Sequence, residues 1–123
     1  MTAWLDGEAV HRLVELRREL HAHAETGWTE FWTTARIAGI LDGLGYNVAV
    51  GRDILDLDTV MGRPSDEDLA PFRERALGQG ADQGWIGRMG GYTGALATMD
   101  TGRPGPVIAL RFDIDAVDVA EAR

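Results

Sequence analysis

Thr29–Val50 reads TEFWTTARIAGILDGLGYNVAV and holds two kinds of periodicity side by side. Phe31, Ala35, Ala38 and Leu41 recur at helical spacing, with Ile37, Ile40 and Leu44 widening the stripe. Thr29 is predicted as the N-cap, with Trp28 before it as the outer half of a hydrophobic staple. Gly43 weakens the last turn, and Gly45 stands where a left-handed residue closes a helix. Tyr46, Val48 and Val50 then alternate with Asn47 and Ala49, which is a strand pattern. A helix running straight into a strand places the chain in the α/β class.

The reading extends outward from there. Upstream, Ala9, Leu13, Leu16 and Leu20 share one face of a helix predicted from about Leu5 to His23, and this stripe is expected to be buried. Asp6 serves as its N-cap, and Glu8 adds a favourable first-turn charge. Arg12, Glu15, Arg18 and Glu19 form the opposite, solvated face, and Thr26-Gly27 ends the pattern. Downstream, residues 51–91 are rich in glycine and acids and are predicted as a loop-rich insertion with one or two short helices. Ser65 is a cap for one beginning Asp66-Glu67-Asp68, in which Pro71 should disturb the second turn. Regular structure resumes over 92–99, and DTGRPGP makes a turn. Val107–Phe112 has the apolar run of a strand covered on both faces. The expected order is helix, helix, strand, insertion, strand, strand.

Composition removes several functions. The 123 residues carry 12 basic and 20 acidic side chains, a net charge of −8, which argues against a nucleic-acid backbone binder. All the basic residues are arginine, so neither Schiff-base chemistry nor a P-loop lysine is available. Without cysteine there is no thiolate zinc site and no cysteine nucleophile in these residues. No apolar run is long enough to span a membrane, and the first ten residues lack a basic n-region, so a cytoplasmic location is expected. The glycines of GQGADQG match neither a dinucleotide loop nor a P-loop. Trp4, Trp28, Trp32 and Trp85 lack basic interleaving and read as packing anchors.

The chemistry-bearing candidates lie where the apolar run ends. Asp113 and Asp115 are two apart, so on a strand they share a face, and ligands in open α/β sheets bind beyond the carboxyl ends of strands. Such a pair could bind a metal, orient a metal ligand, share a proton, or simply mark a solvated strand end. The spacing does not fit a calcium loop, and neither does Asp53, Asp56 and Asp58, a solvated acidic loop. His21 and His23, at a helix end, read as structural hydrogen-bonding groups, and His11 as an exposed mid-helix residue.

Two longer stretches carry a resemblance. RRELHAHAETGWTEFWTTARIAGILDGLGYNV (17–48) and GGYTGALATMDTGRPGPVIALRFDIDAVDVAE (90–121) resemble the dinuclear-metal amidohydrolases and exopeptidases of metallopeptidase family 20. The intervening insertion is similar to that of the aminobenzoyl-glutamate hydrolase A-subunit branch. The resemblance spans essentially the whole chain, and implies that residues 1–123 are the N-terminal part of such a catalytic domain, incomplete by themselves.

The resemblance implies a metal-dependent amidohydrolase acting on N-acyl amino acids, with aminobenzoyl-glutamate-like substrates. Asp115 matches an aspartate that orients a metal ligand. Asp113 stands where many branches place a metal-binding histidine, as a ligand or as a residue behind one. The glutamate base and the other ligands would lie beyond Arg123, so these residues alone should be inactive and hold no metal tightly. The implied cofactor of the full-length parent is a divalent ion, zinc or manganese. Its implied partners are a small-molecule N-acyl amino acid and a second copy or a related subunit, with no nucleic acid and no membrane. A second reading, from a different class, is a non-catalytic module that associates with a full-length homologue.

Overall fold

The computed structural model describes residues 6–119. The start of the first predicted helix at Leu5, and Trp4, lie outside the described residues. Helix α1 spans Gly7–Ala22, and the Asp6 carboxylate accepts the Ala9 amide at 2.7 Å as its cap. Helix α2 spans Phe31–Gly43, and Gly45 takes the expected left-handed conformation at φ 92°. Strand β1, Asn47–Val50, leads into a short 3-10 turn, Gly51–Ile54. Helices α3, Asp66–Gly78, and α4, Gln83–Met89, precede strand β2, Ala95–Thr98. The two strands pair antiparallel, with Val48 opposite Ala97 and Val50 opposite Ala95. A two-stranded ribbon alone is marginal in water, so its stability comes from the helices packed on it.

Helix α2 is the element around which the rest packs, touching both strands, α3 and α4. Its first turn is buried almost completely, from Phe31 to Ala35, and Ala38 continues the buried face. Val48 and Val50 of β1, Leu69 and Ala76 of α3, and Ile86 and Met89 of α4 complete one cluster. Each fully buried large apolar side chain here contributes about 1.5–3 kcal/mol of transfer free energy.

Residues 51–91 therefore hold more order than the expected loop-rich stretch. The Ser65 hydroxyl accepts the Asp68 amide as predicted and donates to the Asp68 carboxylate. Helix α3 runs through Pro71 without a break. The carbonyl left without its helical donor is that of Glu67, and both Glu67 and Pro71 face solvent, where water replaces the lost bond. Arg63 fastens the stretch before α3 to the end of α4. Its Nη2 donates to Asp66 at 2.6 Å and to the Gly91 carbonyl at 2.7 Å, and the guanidinium lies 4.1 Å over the Tyr92 ring.

Three further expectations fail. Thr29 does not cap α2; its hydroxyl donates back to the Thr26 carbonyl, and the capping is done by another residue described below. The α1 stripe is not buried: α1 has no buried residue, Leu13 is 57% exposed, and Leu20 alone of the stripe packs against the core. A two-pronged pair between Arg36 and Glu19, with bonds of 3.0–3.1 Å, ties α1 to α2 at the surface. An exposed pair of this kind is worth no more than about 1 kcal/mol. Finally, Val107–Phe112 forms no strand among the described residues. Val107 is 98% exposed, and Ile108, Leu110 and Phe112 are exposed as well. An apolar run of this type needs neighbouring strands to satisfy its backbone, and none of the described elements lies alongside it.

One backbone crossing is unforgiving. Gly51 sits at φ 55°, and its amide donates to the Gly94 carbonyl at 2.9 Å. A Cβ there would collide with the Tyr92 and Met89 carbonyls and lie 2.8 Å from the Met89 Cα. All are backbone atoms that cannot swing aside. Gly51→Ala is expected to destabilise the fold by about 3 kcal/mol or more. Urea unfolding checks this: the midpoint should fall sharply, and an unchanged midpoint would refute the crossing.

Candidate functional site

The loop between α1 and α2 gathers the buried acids. Glu25 is 3% exposed, and both of its carboxylate oxygens are used on the first turn of α2. Oε2 accepts the Trp32 amide at 3.1 Å and Oε1 the Thr33 amide at 2.7 Å. A helix start needs acceptors for its free amides and favours negative charge, and Glu25 supplies both from outside the helix. Trp28 shapes this loop at φ 70°, a conformation disfavoured for a residue with a Cβ. It is retained by packing: Nε1 donates to the Met61 carbonyl at 3.1 Å, and the ring meets Tyr92 edge-on.

Glu30, the residue before α2, is also buried. Its Oε2 accepts the Thr93 hydroxyl at 2.6 Å, while the Thr34 hydroxyl accepts the Gly94 amide at 3.0 Å. These two bonds fix residues 93–94 against the helix start. Burial pushes the Glu30 carboxyl above its ordinary range, more strongly than the Thr93 bond lowers it. The negative charges of Asp115 and Glu25 add to the rise.

Asp115 is placed by the same loop. The Ala116 amide donates to the Glu25 carbonyl at 2.7 Å, and an Asp115 carboxylate oxygen lies 4.0 Å from where a Cβ on Gly27 would stand. Asp113 has a different neighbour: it pairs with Arg111 at 2.8 Å, and its side chain is 69% exposed. The two aspartates, both exposed, thus have different neighbours, Asp115 the buried glutamates of the loop and Asp113 the Arg111 guanidinium. Among the described residues, no group of three or more His, Cys, Asp or Glu is placed to hold a metal ion. The residues present do not by themselves fit a metal centre. Two shallow clefts, of about 200 and 310 Å³, are lined by neither aspartate.

The remaining candidates have structural partners. His23 donates from Nδ1 to the Glu19 carbonyl at 2.8 Å and stacks on Trp32, with ring centroids 3.7 Å apart. His11 pairs with Glu15 on the solvent side of α1. Asp56 accepts the Asp58 amide in a local turn, in keeping with a solvated acidic loop. Sequence reasoning missed Glu25, Glu30 and Thr93. The signal available was the acidic spacing in AETGWTE, two glutamates flanking a helix start.

No family model matches the chain. Individual proteins do. It is 47% identical over 110 residues to an indole-3-acetyl-aspartic acid hydrolase of Enterobacter agglomerans. It is 47% identical over 111 residues to the A-subunit of the p-aminobenzoyl-glutamate hydrolase of Escherichia coli, and 45% over 118 residues to a homolog of that protein from Haemophilus influenzae. These matches cover 89% of this chain in the first two cases and 93% in the third. The chain spans about a quarter of the length of these relatives, 25–27%. The crystal structure of an aminobenzoyl-glutamate utilization protein from Klebsiella pneumoniae aligns with a TM-score of 0.85 and 50% identity, over 90% of this chain and 28% of that one. The resemblance read from residues 17–48 and 90–121 is borne out: the similar proteins are hydrolases of N-acyl amino acids by name.

The raised Glu30 carboxyl has a consequence for stability. The folded state holds this proton more tightly than the unfolded chain, so the group's contribution is fully present below the unfolded value of 4.5. It is lost as pH rises through the higher folded value. Glu30→Gln keeps an acceptor for Thr93 and removes the ionisation. The variant is expected to match the parent near pH 4 and to become relatively more stable toward neutral pH. Urea unfolding across that range checks the sign; a variant that is relatively less stable at neutral pH would contradict it.

Proposed function

We propose that residues 1–123 contribute the N-terminal part of a metal-dependent amidohydrolase of the aminobenzoyl-glutamate hydrolase A-subunit branch. The reaction is hydrolysis of the amide bond of an N-acyl amino acid, with an aromatic acyl group joined to an acidic amino acid. The observation that carries this reading is the sustained identity to two relatives whose named substrates share that chemistry, aminobenzoyl-glutamate and indole-acetyl-aspartate. The 50% identity to an aminobenzoyl-glutamate utilization protein is in keeping with it.

Within this reading, the work of the chain itself is placement. Asp115 is the functional acid, set at the end of the apolar run and beside the α1–α2 loop. Its role is to accept a hydrogen bond from a metal-binding side chain and orient it, which fixes that ligand's direction and basicity. Asp113 is a weaker candidate, because its carboxylate is already paired with Arg111. A zinc or manganese ion would supply carbonyl polarisation when bound, with further ligands from outside these residues. Two of the relatives are named as one component of a multi-component hydrolase, and assembly with a second copy or a related chain is part of the same proposal.

A chimera tests it. Residues 1–123 replace the matching segment of the Escherichia coli protein, and turnover of p-aminobenzoyl-glutamate is measured with manganese or zinc and that protein's own partner present. The chimera is expected to be active, the 123-residue chain alone inactive, and Asp115→Asn slower in kcat by about 10–100-fold. A folded chimera without turnover would count against the reading, as would Asp115→Asn at full rate.

A further inference from the structure

We infer that Glu25 is a positioning residue that sets Asp115 in place, using its side chain on α2 and its main chain on Ala116. The role rests on the reading of Asp115 given above, but the geometry stands apart from any activity. The Glu25 carboxylate is consumed by two amides, Trp32 at 3.1 Å and Thr33 at 2.7 Å, so it has one orientation available. Holding both ends of the side chain fixes the backbone from which it springs. That backbone presents its carbonyl to the Ala116 amide at 2.7 Å. The bond crosses from the start of the α1–α2 loop to a segment that otherwise has little to hold it. Residues 99–119 form no helix or strand, and Val107, Ile108, Leu110 and Phe112 are exposed.

The surrounding residues make the loop rigid enough for this. Trp28 is clamped between the Met61 carbonyl and Tyr92, and Thr26 and Thr29 bond to one another across the turn. Glu30 and Thr34 join the same helix start to Thr93 and Gly94. The position of Ala116, and of Asp115 before it, is therefore referred to the most buried turn of the molecule. A carboxylate is needed at Glu25 because both acceptor oxygens are used. An amide side chain offers one acceptor and turns a donor toward an amide, which repels it.

The test is amide hydrogen exchange, residue by residue, on the 123-residue chain, comparing the parent with Glu25→Gln and Glu25→Asp. In the parent, the Ala116 amide is expected to exchange at least tenfold more slowly than Leu110. In both variants that protection should disappear, with the amides of Trp32 and Thr33 weakened and those of the β1–β2 ladder unchanged. Loss at Trp32 and Thr33 with Ala116 still protected would overturn the inference, because the side chain would then not control the carbonyl. An unprotected Ala116 in the parent would overturn it too. So would collapse of the ladder in both variants, which would make Glu25 a general folding residue. The readout involves no metal and no turnover, so failure here is separable from failure of the hydrolase reading.

Discussion

The structure depends on how the first turn of α2 is satisfied. That turn is buried, so water cannot reach its free amides, and leaving two of them unpaired would cost about 1–3 kcal/mol each. Glu25 meets them with a full negative charge, where a serine or threonine cap would offer one neutral oxygen. The arrangement forces the α1–α2 loop to fold back over the helix start. The strain at Trp28 and the burial of Glu30 follow from that path. Phe31 and Trp32 can then enter the core from the same turn, where α3, α4 and β1 pack against α2.

Much of the local structure was legible because it is written in short-range chemistry. Asp6, Ser65 and Gly45 act as the residue types require. The alternation of residues 46–50 gives β1, and both halves of the α2 stripe are buried or half-buried apart from Leu44. What escaped was long-range. Only the acidic spacing of AETGWTE hints at Glu25 as the cap of a helix six residues on, and the hydroxyl of Thr29 is the nearer candidate. Residues 51–91 read as loop-rich, with one or two short helices, because they are rich in glycine and acids and lack a sustained period. Their order comes from Leu69, Ala76, Ile86 and Met89 meeting α2, a tertiary effect that outweighs weak local propensity.

The candidate site was legible in part. Asp113 and Asp115 stand out in the sequence from their place after an apolar run, and the bond from the Ala116 amide to the Glu25 carbonyl sets the second of them beside the α1–α2 loop. The idea that Asp113 and Asp115 share a face depended on a strand through 107–112, and the described residues form none there. With the strand absent, the acids fall into different surroundings. The same apolar run explains why. Its residues are suited to a sheet interior, and the stripe on α1 is suited to a helix–sheet contact, yet the run is exposed and only Leu20 of the stripe meets the core. The chain spans about a quarter of the length of its relatives.

A closed core around α2 coexists with an exposed apolar segment at 107–112. Sedimentation equilibrium of the 123-residue chain over a range of concentrations tests it most directly. Concentration-dependent self-association is expected, relieved when Val107, Ile108 and Leu110 are replaced together by threonine. A monomer at every concentration that also unfolds in one sharp transition would contradict it.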